Sequence, residues 1–516
     1  MFARDWWQES TVLRKIRRRN SYANGSGAWM RCSDRRRKIS VLPGWILPAL
    51  AILLASCQSE TARSGIAITN VTVIDAINGV RENRTVVFDG DQITAIQPVG
   101  SETDAAESVD GTGKFLIPGL WDFHVHLTYD DNFTRAMPAL FLSYGITSVR
   151  DTGGLMRKIK PVVESMRSAG AIAPRVFFAG PLLDGNFVVY DGDGRPEIGV
   201  QNRSPDEARE MITTLKKQGV DFIKIYEMVS PDVFAAMVET ANELNLPIDS
   251  HVPLSMRTIA AGPLVDSIEH LRNIEMDCAS NAPELHETRL ERLKNPDGLS
   301  GADLRMSLHT LQRIPAILNY DETKCDQTLD ALRGTMQVPT LRLVSMNLLP
   351  PYQRDDWQDA LSRLPEKAAE PWRAYTAERA GAMPVDVDTT FADWGLFLTG
   401  RAHAAGVPIG AGTDTPIGLA VPGYSLHTEL EFLVRAGLSP LEALQSATVR
   451  PAEYFSLQDE MGSIDVGKKA DMVLLDANPL ADINNTRSIA AVVSKGRLFN
   501  KPDLDGLIET AKTQAP

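Results

Sequence analysis

Between residues 120 and 414 the chain alternates short apolar runs with longer amphipathic or charged stretches. The apolar runs are Leu120–Leu127, Thr147–Thr152, Arg175–Gly180, Phe222–Glu227, Pro247–Val252, Ser267–Leu271, Pro339–Ser345 and Ile409–Asp414. Each has the length of a strand, and each intervening stretch is long enough for a helical crossover. A parallel strand needs such a crossover, and eight βα units in succession imply a parallel sheet closed into a barrel. The predicted class is α/β, a TIM-type (β/α)8 barrel spanning 119–458. Within it, 231–245 carries the signs of a helix. Ser230 is placed to cap it and Pro231 suits its first turn, while Phe234, Met237, Val238 and Ala241 share one face.

The flanks read differently. Ile66–Asp75 is rich in β-branched residues, and Thr85–Ile96 carries a turn at Asp89-Gly90-Asp91. The β character returns at Met461–Asp476 and at Ala490–Phe499. These segments, 66–118 and 459–500, are expected to pair into one small β-sandwich beside the barrel, followed by a C-terminal tail at 501–516. Two long segments, 272–338 and 346–408, separate the last three strands. They read as helical insertions facing substrate, because loops after barrel strands build the mouth of the site, or as helical decoration without contact to substrate.

Residues 1–41 carry a net charge of +8, residues 42–56 carry none, and the remainder carries −21 of the overall −13. A basic stretch, Arg35-Arg36-Arg37-Lys38, precedes an apolar run from Val41 to Ser56. That run is shorter than the roughly 20 residues of a membrane span. It reads as a secretory signal over 1–57, with Met1 or Met30 as its start, and a tether over 58–65. Leu54-Ala55-Ser56-Cys57 resembles a bacterial lipobox, with Cys57 as the lipidated first residue. An uncleaved anchor or an ordinary signal peptide is the alternative. The location implied is the bacterial cell envelope, facing the periplasm. There Cys278 and Cys325 are candidates for a disulfide, or remain two buried thiols. The acidic body excludes nucleic acid as the main partner, since phosphate binding needs a basic surface.

The chemistry begins with His124-Val125-His126. Residues two apart on a strand share a face, so both imidazoles project from the end of the first barrel strand and can hold one divalent ion. His251, His270 and Asp414 end the fifth, sixth and eighth predicted strands, where barrel active sites lie. Of eight histidines in the chain, four fall at such points. Lys224 lies inside an apolar strand, where an unpaired ammonium is costly. Tyr226 faces the same way as Lys224, as a substrate or oxyanion ligand or as a packed barrel tyrosine. Arg150 could bind a substrate carboxylate in bidentate fashion, or pair with an acid of the barrel. His427 could line the pocket or brace a helix. His286, His309 and His403 read as structural or surface residues.

The order His-x-His, Lys, His, His, Asp resembles the amidohydrolase superfamily, as do Leu116-Ile117-Pro118-Gly119 and Gly467-Lys468-Lys469-Ala470-Asp471. Val149–Gly154, Phe222–Ile225 and Ser425–Glu431 are similar to its imidazolonepropionase-like and Xaa-Pro dipeptidase-like branch. The resemblance implies a metal-dependent hydrolase that cleaves a C–N bond by metal-activated hydroxide. The bond would be an amide, dipeptide or acyl-amino acid bond. His124, His126 and Asp414 would hold one ion and His251 and His270 another, with Lys224 carboxylated to bridge them. Zinc is the ion favoured, although these ligands also accept manganese and cobalt. Asp414 would take the proton of the nucleophile and return it to the leaving nitrogen. Val252-Pro253 departs from the branch's usual small polar or glycine residues, so proline-dipeptide specificity does not carry over. If Lys224 stays an ammonium, the implied site holds one ion. The alternative is then a mononuclear cyclic-amide hydrolase or deaminase similar to imidazolonepropionase. A third reading is a non-catalytic envelope lipoprotein on the same scaffold. The expected partner is a small amide or dipeptide, with membrane contact only through the lipid anchor, and a homo-oligomer is compatible with all three readings.

Overall fold

The computed structural model describes residues 64–380 and 387–513. The signal segment, the lipobox with Cys57 and most of the tether lie outside the described residues. Among those described, no helix is long and apolar enough to cross a membrane.

The chain opens with β1 (Ile66–Asp75), β2 (Gly79–Asp89) and β3 (Gln92–Pro98), an antiparallel meander. The shorter β4 (Glu107–Asp110) and β5 (Phe115–Pro118) then pair in parallel with β1. Alternation fixes which way each strand faces. Ile68, Val71 and Val73 of β1 enter one buried cluster, while Ile74 enters another.

Parallel strands follow. β6 (Leu120–Val125), β7 (Ile146–Asp151) and β8 (Arg175–Phe178) form one sheet. A second sheet contains β9 (Leu182–Asp184), β10 (Gly199–Gln201), β11 (Ile223–Ile225), β12 (Ile248–Ser250), β13 (Ser267–Glu269) and β14 (Met336–Val338), in the order β10-β9-β11-β12-β13-β14. β8 and β9 are two parts of one run, interrupted at Ala179-Gly180-Pro181. The first part pairs with β7 and the second with β11. At the other side, Ile409 bridges to Gln337 of β14 and Thr415 bridges to Val125 of β6. Gly412 lets this segment approach β6, since a Cβ there would stand 2.6 Å from the Cβ of His124. Every residue of β6, β7, β11, β12 and β13 is buried, which is why these strands read as apolar runs rather than alternating ones.

Three expectations need correction. The seventh strand is Met336–Val338, not Pro339–Ser345; Pro339 has no N–H to pair, and Leu341–Val344 is a helical turn. The eighth segment makes isolated bridges rather than a regular strand. Ser230 does not cap the helix Pro231–Glu243, because its hydroxyl donates to the Asp232 carboxylate instead.

The chain ends in β15 (Met472–Leu475), β16 (Ile489–Ser494) and β17 (Arg497–Asn500). β15 pairs antiparallel with β5, so the two flanks form one eight-stranded sheet. Residues of β1, β2 and β3 share a core with Met472, Leu474, Ala491 and Val493, so the sheet's two ends pack together. The segment expected as a tail is the helix Lys501–Thr513, which buries Leu504, Ile508 and Ala511.

Candidate metal centre

His124 and His126 leave the end of β6 on one face, and their ring centroids are 5.2 Å apart. The Nε2 atoms of both lie 3.2 Å from Oδ1 of Asp414. That oxygen is buried and makes no hydrogen bond. His270 Nε2 lies 3.9 Å from Oδ2 of the same carboxylate. Ligand atoms of His124, His270 and Asp414 fall within 4.8 Å of one another. Two ligands about 2.0–2.2 Å from one tetrahedral ion stand roughly 3.4 Å apart, so the residues present fit a divalent cation. An unpartnered carboxylate oxygen among imidazole nitrogens is the opposite of a finished hydrogen-bond network.

The other nitrogen of each imidazole is occupied. Nδ1 of His124 meets Glu269, Nδ1 of His126 lies 3.2 Å from the Gly153 carbonyl, Nδ1 of His251 lies 2.7 Å from Glu227, and Nδ1 of His270 lies 2.6 Å from Thr340 Oγ1. Anchoring one nitrogen sets the ring and turns the other inward, as ligating histidines require. The backbone takes part too. His270, Thr340 and Asp414 all hold left-handed φ values, 61°, 47° and 61°. Such conformations cost non-glycine residues free energy and concentrate at functional sites.

Charge follows the same geometry. Burial alone would raise the Asp414 carboxyl, but His124 beside it holds it well below the usual range. Burial opposes protonation of His124, yet Glu269 and Asp414 push it up to about 9. His251 is lowered by burial and then by Lys224, and His270 by burial and then by Arg272. Burial keeps the Tyr226 hydroxyl protonated, and its ring lies 4.6 Å from that of His251.

The structure brings His124, His126, Lys224, Tyr226, His251, His270 and Asp414 to one cleft. Lys224 is buried there, its Nζ 2.8 Å from Asp249 and 3.8 Å from Glu269. Two substrate-binding assignments fail. Arg150 lies beneath the cleft with no exposed surface. Its donors go to the Phe123 carbonyl, Ser267 and Glu269, and its guanidinium stacks 3.7 Å over the Phe123 ring, leaving nothing for a ligand. His427 is enclosed between Thr486 Oγ1 and the Tyr144 carbonyl and is absent from the cleft lining. Cys278 and Cys325 are bonded to each other, 47 residues apart in sequence.

Several lining residues escaped the sequence. Tyr190, Arg272 and Arg305 line the cleft with Leu182, Ile198, Leu343 and Ile417. Glu227 beneath it accepts from Arg272, Arg305, His251 and His309. The available signals were adjacency: Glu227 follows Tyr226, Glu269 precedes His270, and Arg272 stands two residues past His270. Arg305 had none, since it comes from the helix Gly301–Leu318 of the first insertion. No described residue of the second insertion, 346–408, lines the cleft, which corrects the expectation that both face substrate.

The sequence model described as Amidohydrolase family matches residues 115–275 and 397–499, just over half of the chain. The ochratoxinase of Aspergillus niger is 24% identical, across 80% of this chain and 83% of its own length. The imidazolonepropionase of Micrococcus luteus is 22% identical, across 80% and 92%. A crystal structure of a Xaa-Pro dipeptidase with bound methionine has the same fold, with a TM-score of 0.60 at 20% identity over 85% of this chain and 100% of that one. The A. niger ochratoxinase structure gives 0.59 at 19% identity, over 85% and 96%. The chain therefore belongs to the amidohydrolase family and is an enzyme, a hydrolase of carbon–nitrogen bonds.

Proposed function

We propose that this enzyme is a metal-dependent hydrolase of small amides, acyl-amino acids or dipeptides, working from a closed (β/α)8 barrel beside a β-sandwich. The observation that carries the reading is the unpartnered Asp414 oxygen faced by the Nε2 atoms of His124 and His126. The bridges from Ile409 to β14 and from Thr415 to β6 support closure of the barrel, and the shared core of β1–β3 with β15 and β16 supports the sandwich. His124, His126 and Asp414 would hold one ion, with His251 and His270 placed for a second across carboxylated Lys224. Bound divalent zinc supplies Lewis acidity and lowers the pKa of water at neutral pH.

The chain's own residues do the rest. Asp414 stays ionised, so it can accept a proton from water and return it to the departing nitrogen. Tyr226 stays protonated and can donate to the carbonyl oxygen as charge builds there. Leu182, Ile198, Leu343 and Ile417 give the cleft an apolar wall against which an acyl or side-chain group can exclude water.

One observation favours a second reading. The Lys224 ammonium already has a carboxylate partner in Asp249, an arrangement suited to a mononuclear cyclic-amide hydrolase or deaminase. Metal analysis distinguishes the two, at two ions or one per chain. Hydrolysis of a panel of amides, dipeptides, cyclic amides and lactones by the metal-loaded protein tests the function itself. Cleavage of none of them would overturn this substrate range. We also propose that the protein is exported and anchored through Cys57; the Cys278–Cys325 bond supports an oxidising compartment.

A further inference from the structure

The family match stops at residue 275 and resumes at 397, so the helix Gly301–Leu318 lies wholly outside it. This helix nevertheless reaches the cleft. Its first residue is a glycine at a close approach, where a Cβ would stand 2.4 Å from the Val188 carbonyl oxygen. Its position is also held by the Cys278–Cys325 bond within the same insertion. One turn further on, Arg305 enters the cleft wall. Its guanidinium lies 5.6 Å from the Tyr226 ring, and its Nη2 donates to Glu227 Oε1 at 3.0 Å. Nη1 of Arg272 donates to the same oxygen at 2.8 Å. Two guanidiniums thus stand side by side on one carboxylate.

Their charges do not cancel. Two cations share the single negative charge of Glu227, whose second oxygen is taken by His309 at 2.6 Å. Arg272 and Arg305 are the two guanidiniums of the cleft lining, and Glu227 beneath them is the carboxylate they share. Donors are left over as well. Among the described residues, Nε and Nη2 of Arg272 and Nε and Nη1 of Arg305 make no hydrogen bond, and both Nε atoms are buried. Nη2 of Arg272 and Nη1 of Arg305 are the donors free to meet a carboxylate ligand.

We propose that Arg272 and Arg305 form a carboxylate-binding subsite that selects amides with a free α-carboxylate on the leaving amine, the class of N-acyl amino acids and dipeptides. The inference rests on the hydrolase reading above and adds to it the residues that choose the substrate. Arg305 is the specificity-determining member, supplied by a segment foreign to the family match. Glu227 orients both arginines and the ring of His251 together, so the subsite and one candidate metal ligand share a buried carboxylate.

The test uses full-length protein with N-acetyl-L-leucine and N-acetyl-L-phenylalanine, each beside its C-terminal carboxamide. Acetate release gives kcat and KM for each member, and calorimetry of the metal-free protein gives Kd. The wild type should prefer the carboxylate by at least about 10-fold in kcat/KM, carried mainly by KM, from charge-assisted hydrogen bonding. Arg305→Ala should abolish that preference and Arg305→Lys should restore part of it; if Arg305→Ala does not fold, Arg305→Gln replaces it. Equal handling of both members by the wild type, or an unchanged preference in Arg305→Ala, overturns the proposal. If the loaded wild type cleaves neither member, the hydrolase reading is what these substrates speak against. The subsite is then judged by binding alone, where tighter binding of the acid than of the carboxamide upholds it and equal binding refutes it.

Discussion

His270 and Thr340 are joined by a 2.6 Å contact between Nδ1 and Oγ1, and both hold left-handed backbone just past the ends of neighbouring strands. Each strand stops, turns against its preference, and presents one atom to the other. Asp414 does the same at the end of the bridging segment. Side chains fixed in this way are preorganised for a ligand before it arrives.

Asp414→Asn tests the centre directly. The amide keeps the shape but loses the charge and the proton-accepting oxygen. Activity should fall by about 10³-fold or more, within the range of general acid–base effects. Metal content by mass spectrometry should fall with it. Full metal content with wild-type turnover would remove Asp414 from the mechanism.

Lys224 separates one ion from two. In the binuclear reading Lys224→Ala lowers bound metal from two ions to one per chain, and added short-chain carboxylates restore part of the second. In the mononuclear reading metal content does not change. Mass spectrometry of the intact loaded protein should also show the mass of carbon dioxide on this lysine.

Arg150→Met should cost about 3 kcal/mol of stability, because it leaves the buried carboxylates of Asp249 and Glu269 with Lys224 alone in place of two cations. Denaturant unfolding measures this. A loss below 1 kcal/mol, with substrate affinity reduced instead, would return Arg150 to the substrate.

His427 offers a test by pH. Burial and then Arg487 depress its imidazole to about 3 in the folded state. A depressed base contributes stability that is complete above its unfolded value near 6.5 and is lost as pH falls below it. His427→Gln carries no such proton. The gap in unfolding free energy between wild type and variant should therefore shrink as pH falls from 6.5 toward 4, by about 1.4 kcal/mol per unit. A gap independent of pH would mean that the ring is solvated or already charged.

Removing the bond with Cys278→Ala and Cys325→Ala should destabilise the protein by about 4 kcal/mol at most, as expected for a closed loop of this length. It should also loosen the insertion that carries Arg305. Thermal unfolding with and without reductant checks the first effect, and limited proteolysis within 282–331 checks the second.

Much of the centre was legible because strand geometry is periodic. His124-x-His126 had to share a face, and Asp414, His251 and His270 each ended an apolar run. The parallel strands could be found because nearly all their residues are buried. The seventh strand lies just before Pro339, whose missing N–H was plain in the sequence, but the apolar run after it drew the expected strand onto what is a helical turn. Arg150 looked like a substrate ligand because a cation at a strand is unusual; that it turns toward Glu269 and Asp249 is a matter of packing across the barrel. Arg305 could not be found at all. It sits on a helix whose periodicity reports only its own buried face, 35 residues past His270.

The pairing of β5 with β15 has a consequence for how the chain is made. The first strands emerge from the ribosome long before their neighbour exists. Until the last residues are synthesised, β5 presents an open edge that can recruit other chains. Completing the sheet is a contact between distant parts of the sequence, and such contacts form slowly. Truncation that removes β15 should therefore leave β5 without its neighbour, and until β15 is made β5 is an edge open to other chains.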